Sequence, residues 1–264
     1  MKRLWGVLLL GVLGCGSAGS TPQKSLRALD ALGAISRSNE QGEVVELNAP
    51  QMTNAGLVHV QRLTRLESLG LGGTQITDAG LSRLKRLTNL KSLTVGFTKI
   101  SDAGLAHLQG LTQLESLGLG GTKITDAGLV HLEGLTNLGD LNLFGNQVTD
   151  AGLVQLESLL PGLKTLVLAD TLISDAGMEH LAGGDKLESL DLSGAPITDS
   201  GLIHLEGLPN LKSLGLGRTQ ITNAGLRHLE RSTTLKTLWL SRTEVTDAGV
   251  ADLQKMLPQC VIRH

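Results

Sequence analysis

The chain has no tyrosine, and its 264 residues include only two tryptophans and two phenylalanines, so any aromatic ring left on a surface needs a reason to be there. Only two cysteines are present, Cys15 and Cys260. That excludes a disulfide framework, and neither stands in a paired metal-ligand spacing. Charge of one sign is missing too. The 23 Lys and Arg oppose 25 Asp and Glu, a formal charge of -2, so no global field draws the chain to nucleic acid or to anionic lipid. No Ser-His-Asp, Cys-His or phosphate-loop signature stands out, and an enzyme needs converging titratable groups in a pocket, so the sequence reads as a non-enzyme without cofactor or metal.

What the chain has instead is one stretch written many times. "ITDAGLVHLEGLTNLGDLNLFGNQ", residues 124–147, begins again in close copies at a period of 24 residues. Units start at Met52, Ile76, Ile100, Ile124, Val148, Ile173, Ile197, Ile221 and Val245; eight are complete, and the one from Val148 carries one extra residue. The ninth is shorter. The usual domain count from length does not apply, because this is a single array.

Within a unit, Leu66, Leu69, Leu71, Thr74 and Ile76 follow L-x-x-L-x-L-x-x-T-x-I. Alternation puts Leu69 and Leu71 on the core face of a short strand and leaves Ser68 and Gly70 on an open one. Next, Thr77 and Asp78 begin an amphipathic helix whose apolar stripe is Leu81, Leu84 and Leu87. Gly80 has two readings, a close approach of the neighbouring coil or a permissive backbone. One unit cannot fold alone. Ordering its residues costs about 1–2 kcal/mol each, while its few buried apolar side chains return about 1.5–3 kcal/mol each, so stacking must supply the rest.

This pattern resembles the leucine-rich repeat, in the T-D-x-G-L variety of bacterial proteins, which is similar to the cysteine-containing repeats of F-box proteins. The resemblance covers residues 44–264 and implies a right-handed α/β leucine-rich repeat solenoid, with a parallel sheet on the concave face and short helices on the convex face. Leu26, Leu29 and Leu32 with Gly33 as a stop, then a turn before Val44, make residues 25–51 an N-terminal cap of helix and strands. Residues 52–264 are the solenoid. Cys260 takes the core position of Leu163 and reads as a small hydrophobe.

The N-terminus "MKRLWGVLLLGVLGCGSAGS" has a basic start, about ten mostly apolar residues and small residues after them, the layout of a secretory signal too short to span a bilayer. Val12-Leu13-Gly14-Cys15 resembles the bacterial lipobox. The resemblance implies a signal peptide over 1–14, lipid attachment at Cys15, and a lipid-attached flexible tether over 15–24. The chain is then exported and anchored to a bacterial membrane, on the periplasmic or the cell-surface side.

Columns of equivalent residues carry what else the sequence says. His59, His107, His131, His180, His204 and His228 share one column, but helices of adjacent coils lie about 8–10 Å apart, too far for nitrogens that must each sit about 2.1 Å from one metal. The Asp column from Asp78 reads as helix capping. The Thr column from Thr74 reads as a hydroxyl ladder, broken at Ala195. Glu67, Lys91 and Glu115 alternate in sign and neutralise one another.

The floor of the open face is small and polar, and variation on it marks the candidate binding residues: Phe97, Asp140, Asn142, Phe144, Asp170, Asp191, Arg218, Trp239 and Arg242. Trp and Arg are the residues most enriched in binding hot spots, so Trp239 with Arg218 and Arg242 is the leading patch. Trp239 reads equally as a cover for the last coils. The expected function is a non-catalytic module, monomeric and displayed at the bacterial cell envelope, that holds a protein or peptide on the concave face and does not bind nucleic acid. Two other readings stand: an envelope spacer without a discrete ligand, and an F-box-like substrate receptor of a ubiquitin ligase.

Overall fold

The computed structural model describes residues 21–264. The signal segment, Cys15 and the first part of the tether lie outside them. A helix spans Thr21–Ala31, so Thr21 to Lys24, expected in the tether, belong to an element that packs on the array through buried Leu29. Eleven strands then form one sheet in sequence order: β1 (Ile35–Ser38), β2 (Val44–Asn48), β3 (Ser68–Gly70), β4 (Ser92–Thr94), β5 (Ser116–Gly118), β6 (Asp140–Asn142), β7 (Thr165–Val167), β8 (Ser189–Asp191), β9 (Ser213–Gly215), β10 (Thr237–Trp239) and β11 (Val261–Arg263). The β1–β2 hairpin is antiparallel, with an Arg37–Glu46 ion pair across it. From β2 onward every pair is parallel, and Leu47, Leu69, Leu93, Leu117, Leu141, Leu166, Leu190, Leu214 and Leu238 lie in one register row. All nine are buried. Strands stack about 4.8 Å apart whereas helices need about 8–10 Å, and this mismatch curves the solenoid with the sheet inside.

The convex side departs from a simple helix. In the unit from Ile76, one α-turn, Asp78–Leu81, runs straight into a 3-10 turn, Ser82–Leu84, and the units from Ile173 and Ile197 use 3-10 structure throughout, at Asp175–Leu181 and Asp199–Gly207. A 3-10 helix rises about 2.0 Å per residue against about 1.5 Å for an α-helix, so it carries the chain back across the coil with fewer residues. Where the unit from Val148 holds its extra residue, a continuous seven-residue α-helix, Asp150–Leu156, replaces the tight form. The insertion ends in Leu159 and Leu160, both buried.

The Asp column does not cap its own helices. Asp102 Oδ1 accepts the Thr125 N–H at 2.8 Å and its Oδ2 accepts the Thr125 hydroxyl at 2.7 Å, one coil further on. Asp78 holds Ser101, Asp126 holds Thr149, Asp150 holds Ser174 and Asp199 holds Thr222 in the same way. Capping falls to the hydroxyl residue, since Thr125 Oγ1 also accepts the Ala127 N–H at 3.3 Å. The same ladder decides between the two readings of the helical glycines. A Cβ on Gly104 would fall well inside contact with Asp78 Oδ1, and Gly128, Gly152, Gly177 and Gly225 each meet the preceding coil's Asp likewise. Close approach is the cause.

Nor is the Thr column an intercoil ladder. Each hydroxyl donates to a carbonyl three residues back in its own coil, Thr74 to Leu71 at 2.7 Å and Thr219 to Leu216 at 2.6 Å. At Ala195 nothing is left open, because the Ala195 N–H itself donates to Leu192 O at 3.0 Å. Asn146, which takes the place of Thr in this column, joins two coils. Its Oδ1 accepts from Ile124 N–H at 3.0 Å and Thr122 Oγ1 at 2.9 Å, and its Nδ2 donates to Leu119 O at 2.9 Å and Leu143 O at 3.1 Å.

Candidate functional site

The concave face is built from rows that cross the strands. One row follows the register Asn142, Val167, Asp191, Gly215, Trp239, Arg263. Gly215 therefore lies between Asp191 and Trp239 with no side chain of its own, and Gly217 repeats the gap two residues on. The result is a hollow of about 530 Å³ whose walls include Asp191, Ser193, Arg218, Trp239, Ser241 and Arg242. Asp191 Oδ1 accepts the Ser193 N–H at 3.0 Å, which sets that wall. Trp239 lines the hollow and keeps 36% of its surface in solvent.

Above this floor runs a ridge on which the backbone turns left-handed once per coil. Gly73, Gly121, Gly145 and Gly194 occupy it with φ of 72°, 66°, 64° and 75°, the conformation that favours glycine. Four residues with side chains sit in the same column: Phe97 (φ 56°), Asp170 (54°), Arg218 (60°) and Arg242 (61°). A side chain there costs about 1–2 kcal/mol per residue, so each of the four requires compensation. Asp170 and Arg218 compensate each other. Their side chains meet at 2.9 Å across the intervening coil, over Gly194, where a Cβ would displace the Asp170 carboxylate.

Phe97 projects over Gly121 and meets Phe144, with ring centroids 6.1 Å apart at 51°, and it remains 66% exposed. Asn142 Oδ1 accepts the Phe144 N–H at 2.9 Å and holds that end of the patch. Thus the nine residues expected from sequence divide. Asp191, Arg218, Trp239 and Arg242 converge on the hollow, with Asp170 orienting Arg218 from outside it; Phe97, Asn142 and Phe144 form a separate aromatic patch. Asp140, at the start of β6, lies outside both. The sequence did not single out Ser193, Gly217 or Ser241, which also line the hollow. Their signal is a third small residue after each strand's last core leucine.

Charge is unevenly satisfied over this face. Lys91 pairs with Glu67 at 2.9 Å, and the pairing holds the Lys91 ammonium above its ordinary pKa. Lys212 pairs with Glu188 at 2.8 Å and holds that carboxyl below the usual carboxylate range. Lys236 and Arg242 have no ion-pair partner among the described residues. On the convex side, the histidines pair sideways between coils: His180 Nδ1 lies 2.8 Å from Glu157 Oε1, and Gln109 Nε2 donates to His131 Nδ1 at 2.9 Å.

A family model described as "Leucine Rich repeat" matches residues 134–156, 186–205 and 231–253. No curated protein matches the sequence. Among solved structures, an internalin C2 from Listeria monocytogenes is similar at 28% identity, with 84% of this chain and 91% of that one covered and a TM-score of 0.60. An internalin, inlF, of the same species is 22% identical over 91% of this chain and 87% of its own, with a TM-score of 0.51. The plant peptide hormone receptor RGFR1, solved in complex with RGF2, shares 15% identity over 86% of this chain and 36% of its own, with a TM-score of 0.56. The last two likenesses bear on the fold alone. The chain carries leucine-rich repeats and folds as a leucine-rich repeat solenoid.

Proposed function

We propose that this chain is a non-catalytic binding module that holds a protein or peptide on its concave face and is displayed, as a monomer, at a bacterial cell envelope through a lipid on Cys15. The observation that carries the binding role is the hollow over β9, where Asp191, Arg218, Trp239 and Arg242 converge around a floor of glycine and serine. An aromatic ring with two arginines lining a concavity is the composition of a binding hot spot. A solenoid gives such a patch a rigid setting, because each strand is locked to its neighbours. The plant peptide hormone receptor of similar fold, solved in complex with RGF2, is in keeping with a binding role for this fold. Display at the envelope rests on the signal layout and the lipobox resemblance of residues 1–15.

Two experiments test the two halves. Intact mass and detergent partitioning of the chain expressed in a bacterium, beside Cys15→Ser, should show a lipid-modified chain starting at Cys15; an unmodified, water-soluble product ends the envelope reading. For binding, the chain is used to capture partners from a membrane extract, with Trp239→Ala/Arg242→Ala as the comparison. Capture that is lost in the double variant supports the hollow as the site. Unchanged capture rejects it, and a well-folded chain that captures nothing specific favours the envelope spacer.

A further inference from the structure

The hollow has a chemistry more specific than a generic binding face. We propose that it seats an acidic stretch of the partner in extended form, one carboxylate against the guanidinium groups of Arg218 and Arg242 and an adjacent apolar side chain on the indole of Trp239. This rests on the concave face being the binding face and adds what that face recognises.

Three observations lead there. The first is the backbone of Arg242. Glycine is the ridge's usual residue, and Arg242 holds a left-handed conformation with no ion-pair partner among the described residues. Strain kept without an internal return is a mark of a functional position. The second is preorganisation. Asp170 fixes Arg218 across Gly194 while Arg218 still lines the hollow, so one of the two guanidinium groups is oriented before any ligand arrives. A planar guanidinium matches a carboxylate through paired N–H donors, and the second arginine lies one coil away on the same ridge. The third is charge balance. On the β10 side Arg242 and Lys236 are uncompensated, whereas Asp191 stands on the β8 side with one oxygen accepting only the Ser193 N–H. The acidic residue of the guest therefore lies toward β10, and the part of the guest facing Asp191 is neutral or basic.

Size agrees. From β8 to β10 is two strand spacings, about 9.6 Å, which about three residues of extended chain would cover. Ser193, Ser213 and Ser241 present hydroxyls to the backbone of such a guest, and Gly215 and Gly217 leave room for it.

The test selects from a displayed library of random dodecapeptides on the full chain in detergent, then measures synthetic versions of the enriched peptides by fluorescence anisotropy. Enriched peptides should carry Asp or Glu beside Leu, Ile, Phe or Trp. Replacing that acid by its amide should weaken binding by about tenfold or more, as should Arg242→Gly and Trp239→Ala, and raised salt should weaken it too. Arg242→Gly places the ridge's usual residue, so its thermal midpoint should not fall and lost binding cannot be put down to unfolding. Neutral or basic peptides that still depend on Trp239 would overturn the acidic ligand and leave concave-face binding standing. Peptides indifferent to both substitutions, or no enrichment at all, would overturn both.

Discussion

Two glycines from different repeats do different work, and substitution separates them. Gly73 sits at φ 72° with open space where a Cβ would go, so Gly73→Ala should cost only the left-handed penalty, about 1 kcal/mol. Gly104 has an ordinary helical backbone, but its Cβ would intrude on Asp78 and its bonds to Ser101. Gly104→Ala should cost about 2–4 kcal/mol, because hydrogen bonds to a charged group are at stake. Urea unfolding measures both, and equal losses would show that the ladder adds nothing. The ladder also predicts a rescue. Where the column has Asn223 instead of Asp, Nδ2 donates to Thr246 Oγ1 at 2.9 Å and Oδ1 accepts the Thr246 N–H at 2.9 Å. Asp126→Asn should therefore keep most of the stability that Asp126→Ala loses, about 2–4 kcal/mol, and an Asn variant as weak as the Ala variant would refute the geometry. At Cys260 burial raises the thiol pKa above its ordinary value. In a Cys15→Ser background, Cys260 should stay unalkylated at mildly alkaline pH until denaturant is added, since burial disfavours the reactive thiolate and shields the sulfur; prompt alkylation of the folded chain would contradict its burial.

At the scale of one coil, the junction between the coils of β5 and β6 depends on a single side chain. Asn146 is buried there and serves the Ile124 N–H, the Thr122 hydroxyl and two carbonyls at once. Asn146→Ala should destabilise by about 2–3 kcal/mol, because buried polar groups lose their partners. Asn146→Thr should recover part of this loss, since Thr at the equivalent position donates to the carbonyl three residues back, as Thr122 does to Leu119 at 2.6 Å. Denaturant midpoints of the two variants decide it; identical losses would mean that the intercoil bonds, and not the local one, carry the whole effect.

Across the whole molecule, each coil leans only on its neighbours, so stability should be graded along the array. Hydrogen exchange should show the strongest protection in β4 through β9 and faster exchange in β1 and β11, which have a partner strand on one side only among the described residues. Uniform protection would mean that the solenoid opens only as a unit. The aromatic patch at Phe97 and the hollow at Arg242 lie six coils apart, about 29 Å at the strand spacing. A ligand that fills both must be long and extended or itself a folded surface, whereas a short peptide engages one.

How much of this was legible in the sequence depends on the range of the interaction. The period, strand register, core leucines and open polar floor were determined by the sequence alone, because each follows from apolar spacing within one unit, as with Leu66, Leu69 and Leu71. The sparse aromatics and the irregular arginines could be seen as exceptions to the repeat for the same reason. The partner of each Asp could not, since Asp102 meets Thr125 one coil away and its neighbour in sequence offers an equally plausible local cap. Likewise, only the tertiary structure set Asp170 against Arg218 across Gly194, put Phe97, Arg218 and Arg242 on left-handed backbone, and gathered four of nine expected residues around one hollow. Stacking is the physical reason: it brings residues 24 positions apart in sequence to about 4.8 Å, and no spacing within a single unit encodes what they meet there.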